Sequence, residues 1–129
     1  LLIKSHDKII LTGYQNDVRP FFAISNSLVF PSYREGFPNV VMQSGAMGLP
    51  SIVTDINGCN EIIQTDHNGI LVPCKDIKSL KRAMKRIFQD KELYLKCSSK
   101  SRLAIVNNYE QKLFWSRLLN EYESYYNVL

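Results

Sequence analysis

Leu28-Val29-Phe30 is a short apolar run that leads without interruption into the segment from Pro31 to Pro50. That segment opens with a short turn carrying Glu35 and Gly36. It continues into a helical pattern that starts at Pro38. A strand, a glycine turn and a helix start in this order place a polar site at the carboxyl end of a sheet. Open α/β folds bind ligands there, and a helix N-terminus favours anions such as phosphate.

The rest of the chain extends this pattern. Four apolar runs read as strands: 9–12, 28–30, 51–54 and 70–72. β-branched residues are frequent in them, and Gly, Pro, Asn or Asp bounds each one. Helical patterns alternate with them. Asp17 is placed to cap 18–25, 38–47 follows the motif turn, and 60–64 is a short helix. Asp76 is placed to cap 77–89, with Ile77, Leu80, Ala83, Met84, Ile87 and Phe88 on one face. Strand–helix alternation with near-continuous apolar strands predicts a Rossmann-like parallel sheet of about four strands flanked by helices. After Asp90 the pattern is helical only. One or two helices over 91–107 and another over 110–128 form an all-helical tail, 91–129, on a single domain, 1–129. The last helix carries Leu113, Phe114, Leu118, Leu119, Tyr122, Tyr125 and Tyr126. Such a wide stripe is expected to pack into the core, the alternative being a helix that lies against an absent second domain.

Composition narrows the function classes. The 129 residues suffice for one domain with a core. No apolar run approaches bilayer-spanning length, and no signal peptide opens the chain. The chain starts Leu1-Leu2, which reads as a piece of a longer protein. The net charge of +4 owes much to Lys78, Lys81, Arg82, Lys85 and Arg86 on one predicted helix. A solvated face is the expected reading, a membrane-surface or acidic-partner patch the second. No nucleic-acid motif accompanies the charge. Cys59, Cys74 and Cys97 fit neither a disulfide framework nor a zinc pattern and read as reduced thiols of a cytoplasmic protein. His6 and His67 each stand beside an aspartate and read as surface residues.

The chemistry concentrates in Glu35-Gly36-Phe37-Pro38-Asn39. Gly36 permits close backbone approach to a ligand. Pro38 suits the first helical position. The amides of Phe37, Asn39 and Val40 then point out of the helix end, where the helix dipole helps them hold a diphosphate. Glu35 would repel phosphate, so it is assigned to the hydroxyls of a neighbouring sugar. Gln43 lies one turn beyond Asn39 on the same face and leans toward the helix start. Its amide both accepts and donates. Alone, Glu35 reads as a helix-start charge and Gln43 as an exposed helix residue; their convergence on one turn favours a site. A second polar turn, Thr54 to Glu61, is expected at the same end of the sheet. Its Asp55-Ile56-Asn57-Gly58 reads as turn chemistry rather than a metal loop, and no metal is assigned. Asn60 or Glu61 is placed to cap the following helix. Tyr14, after the first strand, is a candidate to stack on a nucleobase, with simple packing as the alternative.

Phe30-Pro31-Ser32, Glu35 to Asn39, Gly48-Leu49-Pro50, Thr54-Asp55, Asn68 to Pro73 and Asp76 together resemble the carboxyl-terminal domain of GT-B glycosyltransferases. The resemblance is strongest to the retaining family 4, or glycosyl transferases group 1. It covers about 9–90 by motif and the remainder by helical pattern. It implies a nucleotide-diphosphate-sugar donor, retained anomeric configuration, no metal and no further cofactor. It also implies that Glu35 touches the donor sugar and that the backbone from Gly36 to Val40 holds sugar and diphosphate. Preorganised amides stabilise the charge that grows on the leaving diphosphate.

Two departures stand out. The family pattern has a second glutamate eight positions after the first, gripping the ribose; here it is Gln43, a loss of roughly 1–2 kcal/mol if uncompensated. The family domain also opens with two strand–helix units that precede this chain's first strand. Without them, 9–12 is expected to re-pair beside 28–30, or the open edge to be covered by self-association. The resemblance therefore implies a fragment, inactive alone, of a glycosyltransferase of polysaccharide or glycolipid synthesis. Its glycan or lipid-linked acceptor binds through an N-terminal domain not present here. The full-length enzyme is expected in the cytoplasm, with peripheral placement at the inner membrane face. A non-catalytic nucleotide- or sugar-binding module and a protein-interaction domain are the alternatives. A glycoside hydrolase fits less well, because the turn favours phosphate over a carboxylate pair.

Overall fold

The computed structural model describes residues 6–126. The elements run α1 (Arg19–Ile24), β1 (Leu28–Phe30), α2 (Asn39–Ala46), β2 (Ser51–Thr54), α3 (Cys59–Ile62), β3 (Gly69–Val72), α4 (Ile77–Gln89), α5 (Lys91–Tyr109) and α6 (Gln111–Tyr126). The strands form one parallel sheet in the order β1-β2-β3. Leu28 pairs with Ser51 and Phe30 with Val53; Ser51 pairs with Gly69 and Thr54 with Val72.

Alternation along the strands builds two cores. Ile52, Ile70 and Val72 point to one face, where Ala83 and Ile87 of α4 and Leu93 and Cys97 of α5 cover them. Val53 points to the other, against Val41 of α2, Cys59 and Ile62 of α3, and Ile105 of α5. One helix serves both layers because α5 passes the amino ends of the strands. Ser98 Oγ donates to the Gly48 carbonyl before β2 at 2.8 Å. Ser101 Oγ donates to the Asn68 carbonyl before β3 at 3.0 Å. Gly45 lets α2 touch this helix: a Cβ there would lie 2.8 Å from Ile105 Cγ1. The amino end of the sheet is thereby occupied, and the carboxyl end is left to the loops.

The structure corrects several expectations. Among the described residues the sheet has three strands, because 9–12 forms none: Ile9, Ile10 and Leu11 are exposed in irregular backbone. That segment has no strand beside it, and an apolar run alone cannot satisfy its own backbone groups as a strand. It does not re-pair with β1, whose outer edge is unpaired among the described residues. Asp17 stands one residue before the N-cap of α1, Val18, and its Oδ1 accepts the Arg19 amide at 3.0 Å. The apolar face of α4 divides: Leu80, Ala83 and Ile87 pack on the sheet, while Ile77, Met84 and Phe88 remain exposed. The stripe on α6 does not enter the core, since none of its residues is buried. Residues 127 and 128 of the last predicted helix lie outside the described residues. Leu28–Phe30, Ser51–Thr54 and Ile77–Gln89 have the expected bounds, and Asp76 Oδ1 accepts the Ser79 amide at 3.0 Å.

Candidate functional site

β1 delivers the chain to the carboxyl mouth of the sheet, and the turn 31–38 is fixed there from below. Thr54, the last residue of β2, donates its hydroxyl to the Ser32 carbonyl. Ser32 Oγ in turn donates to Glu35 Oε1 at 2.6 Å. The Glu35 carboxylate is half-buried and held in one orientation while retaining acceptor capacity. It stands near Cys59, whose thiol is pushed up by burial first and by the charge of Glu35 second. A buried thiol with a raised pKa is inert. Cys97 is likewise buried and pushed up by desolvation, whereas Cys74 is exposed; all three are free.

Pro38 is the N-cap of α2 rather than its first helical residue, with φ −78° and ψ 105°. Its carbonyl accepts the amides of Val41 at 3.1 Å and Met42 at 3.4 Å. The amides of Asn39 and Val40 precede the first helical bond and donate to no protein group among the described residues, and neither do those of Gly36 and Phe37. Pro38 itself contributes no N–H. The Asn39 and Val40 amides are groups that a helix end offers to an anion, and those of Gly36 and Phe37 lie in the turn just before it. The Phe37 ring turns away and packs on Tyr109 with centroids 5.4 Å apart. Tyr109 Oη donates to the Glu61 carbonyl at 2.7 Å, which ties the end of α5 to this corner.

The second polar turn lies against the first. Gly58 has φ +78°, and a Cβ on it would fall 2.1 Å from the Gly36 carbonyl oxygen and 3.0 Å from Pro38 Cδ. Its amide donates to Glu61 Oε1 at 3.2 Å, so Glu61 closes the start of α3. Asn60 Nδ2 instead donates to Asp55 Oδ1 at 2.9 Å. Asp55 therefore engages its own turn. Beside them, a cavity of about 160 Å³ is lined by Tyr33, Thr54, Lys75 and Asp76, with the Lys75 ammonium 5.9 Å from the Tyr33 ring centre.

Glu35 and the Gly36–Val40 backbone are thus brought together at one mouth. Gln43 is exposed one turn along α2 and lines a separate groove with Asn16, Asp17, Arg19 and Met47. In that groove the Arg19 guanidinium holds the Asp17 carboxyl down to about 2. Tyr14 is 90 % exposed in irregular backbone and lines none of these cavities. The structure does not bring it to the turn. Sequence reasoning named Ser32, Thr54 and Gly58 only as parts of motifs and of the second turn, without the contacts they make, and missed Tyr109. The Ser32–Glu35 contact is local, three residues apart, whereas those of Thr54, Gly58 and Tyr109 act across the fold and leave no signal in the sequence.

Comparison with known proteins agrees with this architecture. The glycosyl transferases group 1 family matches residues 1–90. An Escherichia coli UDP-Gal:α-D-GlcNAc-diphosphoundecaprenol α-1,3-galactosyltransferase is 34 % identical over 102 residues, 79 % of this chain and 26 % of that protein. The Staphylococcus aureus capsular polysaccharide biosynthesis glycosyltransferase CapM is 26 % identical over 128 residues, 99 % of this chain and 33 % of its own length. Among solved structures, Anabaena HepE in complex with UDP and glucose superposes with a TM-score of 0.85 over 92 % of this chain and 32 % of that one, at 15 % identity. The chain thus spans between a quarter and a third of these proteins. The match over 1–90, with the parallel sheet and its carboxyl-end turn, shows that the chain belongs to the glycosyl transferases group 1 family and corresponds to part of its GT-B carboxyl-terminal domain.

Proposed function

We propose that this chain is the donor-binding part of a retaining, metal-independent glycosyltransferase of polysaccharide or glycolipid synthesis. The supporting observation is the pairing of a Ser32-held Glu35 carboxylate with unpartnered amides at Gly36, Phe37, Asn39 and Val40. In this reading the amides receive the diphosphate of a nucleotide sugar. They need no rearrangement as charge develops on the leaving group. Glu35 accepts from the sugar hydroxyls. Gln43, one helical turn away, binds the ribose. The acceptor, a glycan or a lipid-linked sugar, binds through a domain outside this chain, so the chain alone does not turn over. The full-length enzyme works in the cytoplasm, peripherally at the inner membrane face. HepE is solved with UDP and glucose, and the E. coli relative acts on a diphosphoundecaprenol-linked sugar, which supports both halves of the reading. A second copy of the chain covers the open edge of β1. Gln43 at the ribose position favours one other reading, a module that binds the nucleotide sugar without transferring it.

Two substitutions test the donor reading. Asn39→Pro deletes one cradle amide at a position where proline suits the helix, and Asn39→Ala removes the side chain alone. Titration calorimetry with uridine and guanosine diphosphates is expected to show at least about a tenfold loss for proline and little for alanine. Equal affinities for the two would sink the amide cradle. Glu35→Gln in the full-length protein is expected to abolish most sugar transfer while diphosphate binding persists. Undiminished transfer would remove Glu35 from the site, and binding without turnover in the wild type would establish the non-catalytic module.

A further inference from the structure

The outward face of α4 is basic in a way that the fold does not require. Leu80, Ala83 and Ile87 point to the sheet. At 100° per residue the direction opposite them is occupied by Lys78, Lys81, Arg82 and Lys85, all exposed. None of the four forms an ion pair with a carboxylate among the described residues. Arg86 does, with both guanidinium nitrogens on the Asp66 carboxylate at 2.7 and 3.0 Å. The helix contains no acidic residue of its own. The aspartates at its two ends are turned to backbone amides: Asp76 accepts from Ser79, and Asp90 accepts from Leu93. Lys78 also sits in the first turn, where the helix dipole disfavours a cation, and the N-cap carboxylate of Asp76 there is engaged by Ser79 and forms no ion pair with it. A charge that opposes its local structure points to a use outside it.

The same surface shows apolar groups. Ile77 is 80 % exposed and Phe88 89 % exposed. Both project along the flank of the lysine row, on the Lys81 side. A row of cations flanked by exposed apolar side chains on one rigid helix suits a layer that is anionic at its surface and apolar just beneath. Nucleic acid would use the charges and leave Ile77 and Phe88 wet.

We infer that the outward face of α4, with Lys78, Lys81, Arg82 and Lys85 at its centre and Ile77 and Phe88 at its flank, docks on an anionic lipid bilayer surface. This rests on the peripheral placement proposed above and assigns it to a surface; it is independent of the donor site. Sheet packing already orders the helix, so docking needs no folding step. The face lies on the far side of the sheet from α2, whose start holds the amide cradle.

Sedimentation with phosphatidylglycerol vesicles tests the assignment. The chain is expected to pellet with them at low salt, to be released as salt screens the charges, and to ignore phosphatidylcholine vesicles. Lys81→Glu with Lys85→Glu is expected to weaken binding at least about tenfold, and Phe88→Ser several-fold, with unchanged circular dichroism and melting temperature. Lys81→Gln with Lys85→Gln gives an intermediate loss and guards against an artefact of charge reversal. Vesicle binding that survives the double reversal would overturn α4 as the docking surface while leaving peripheral placement intact. Absence of binding by this chain would overturn α4 as the docking surface, and absence of binding by the full-length protein as well would overturn peripheral placement with it. Retention on a soluble polyanion without vesicle binding would assign the face to an acidic macromolecule and overturn the lipid. None of these outcomes bears on diphosphate titration, so the donor reading stands or falls separately.

Discussion

A methyl group at position 58 would have nowhere to go. Its Cβ would fall 2.1 Å from the Gly36 carbonyl oxygen, which is backbone and cannot swing aside, and the residue already has φ +78°. Gly48 has a similar φ of +80°, yet the nearest atom to its Cβ, the Ser98 carbonyl oxygen, is 4.0 Å away. The pair separates conformational strain from collision. Gly48→Ala is expected to cost about 1–2 kcal/mol, the left-handed backbone penalty alone. Gly58→Ala adds overpacking of roughly 1–3 kcal/mol and must move the Glu35–Gly36 turn to relieve it. Urea unfolding of the two variants checks the difference, and diphosphate titration is expected to fail only for Gly58→Ala. Equal destabilisation with donor binding kept in both would show that the two turns do not hold each other. At this scale the sequence was half informative. Glu35 and the amides beyond it were legible because their chemistry is local, whereas the contact of Gly58 with Gly36 joins residues brought together only by the crossover from β1 to β2.

Helix starts are where element-level reasoning is most exposed to test, and α4 begins with the best-defined one. Asp76 accepts the Ser79 hydroxyl at 2.6 Å and its amide at 3.0 Å. These bonds, the hydroxyl first, hold the Asp76 carboxyl below its ordinary range. A pKa lowered on folding stabilises the native state wherever the unfolded group is ionised. The contribution is therefore full above the ordinary aspartate range and is lost as pH falls through it toward the lower folded value. Asp76→Asn is expected to lower the melting temperature at neutral pH and to narrow its gap from the wild type in acid. Parallel melting curves across that range would show that the cap carries no charge-dependent stability. The elements whose bounds were read correctly from sequence, β1, β2 and α4, combine an apolar run or period with clear end signals. The run 9–12 has the period and the flanking breakers but no neighbouring strand, and strand pairing is a non-local property that no window of sequence contains. The stripe on α6 failed differently. Apolar spacing identified a helix face that seeks a partner, but not whether that partner lies within these residues.

Taken as a whole, the molecule covers the two faces of its sheet and leaves surfaces uncovered around it. The outer edge of β1 is unpaired among the described residues, and its three residues are half-buried, Val29 against one core and Leu28 and Phe30 against the other. Ile10 and Leu11, just upstream, are exposed. Along α6, Phe114, Trp115, Leu119 and Tyr122 are exposed as well. An unprotected edge is a template for a further strand. For this chain on its own the available strand is that of a second copy, so self-association through β1 is the expected outcome. Light scattering should give a mass that rises with concentration above 14.9 kDa. Phe114→Glu with Trp115→Glu in α6 should leave that rise in place, whereas Ile10→Lys with Leu11→Lys beside the edge should suppress it. A constant mass of one chain at high concentration would rule the association out. A rise abolished by the α6 pair instead would transfer it to the aromatic helix and leave the β1 edge stably exposed, a state that this half-buried parallel strand can reach only if its short length keeps its free groups in contact with water.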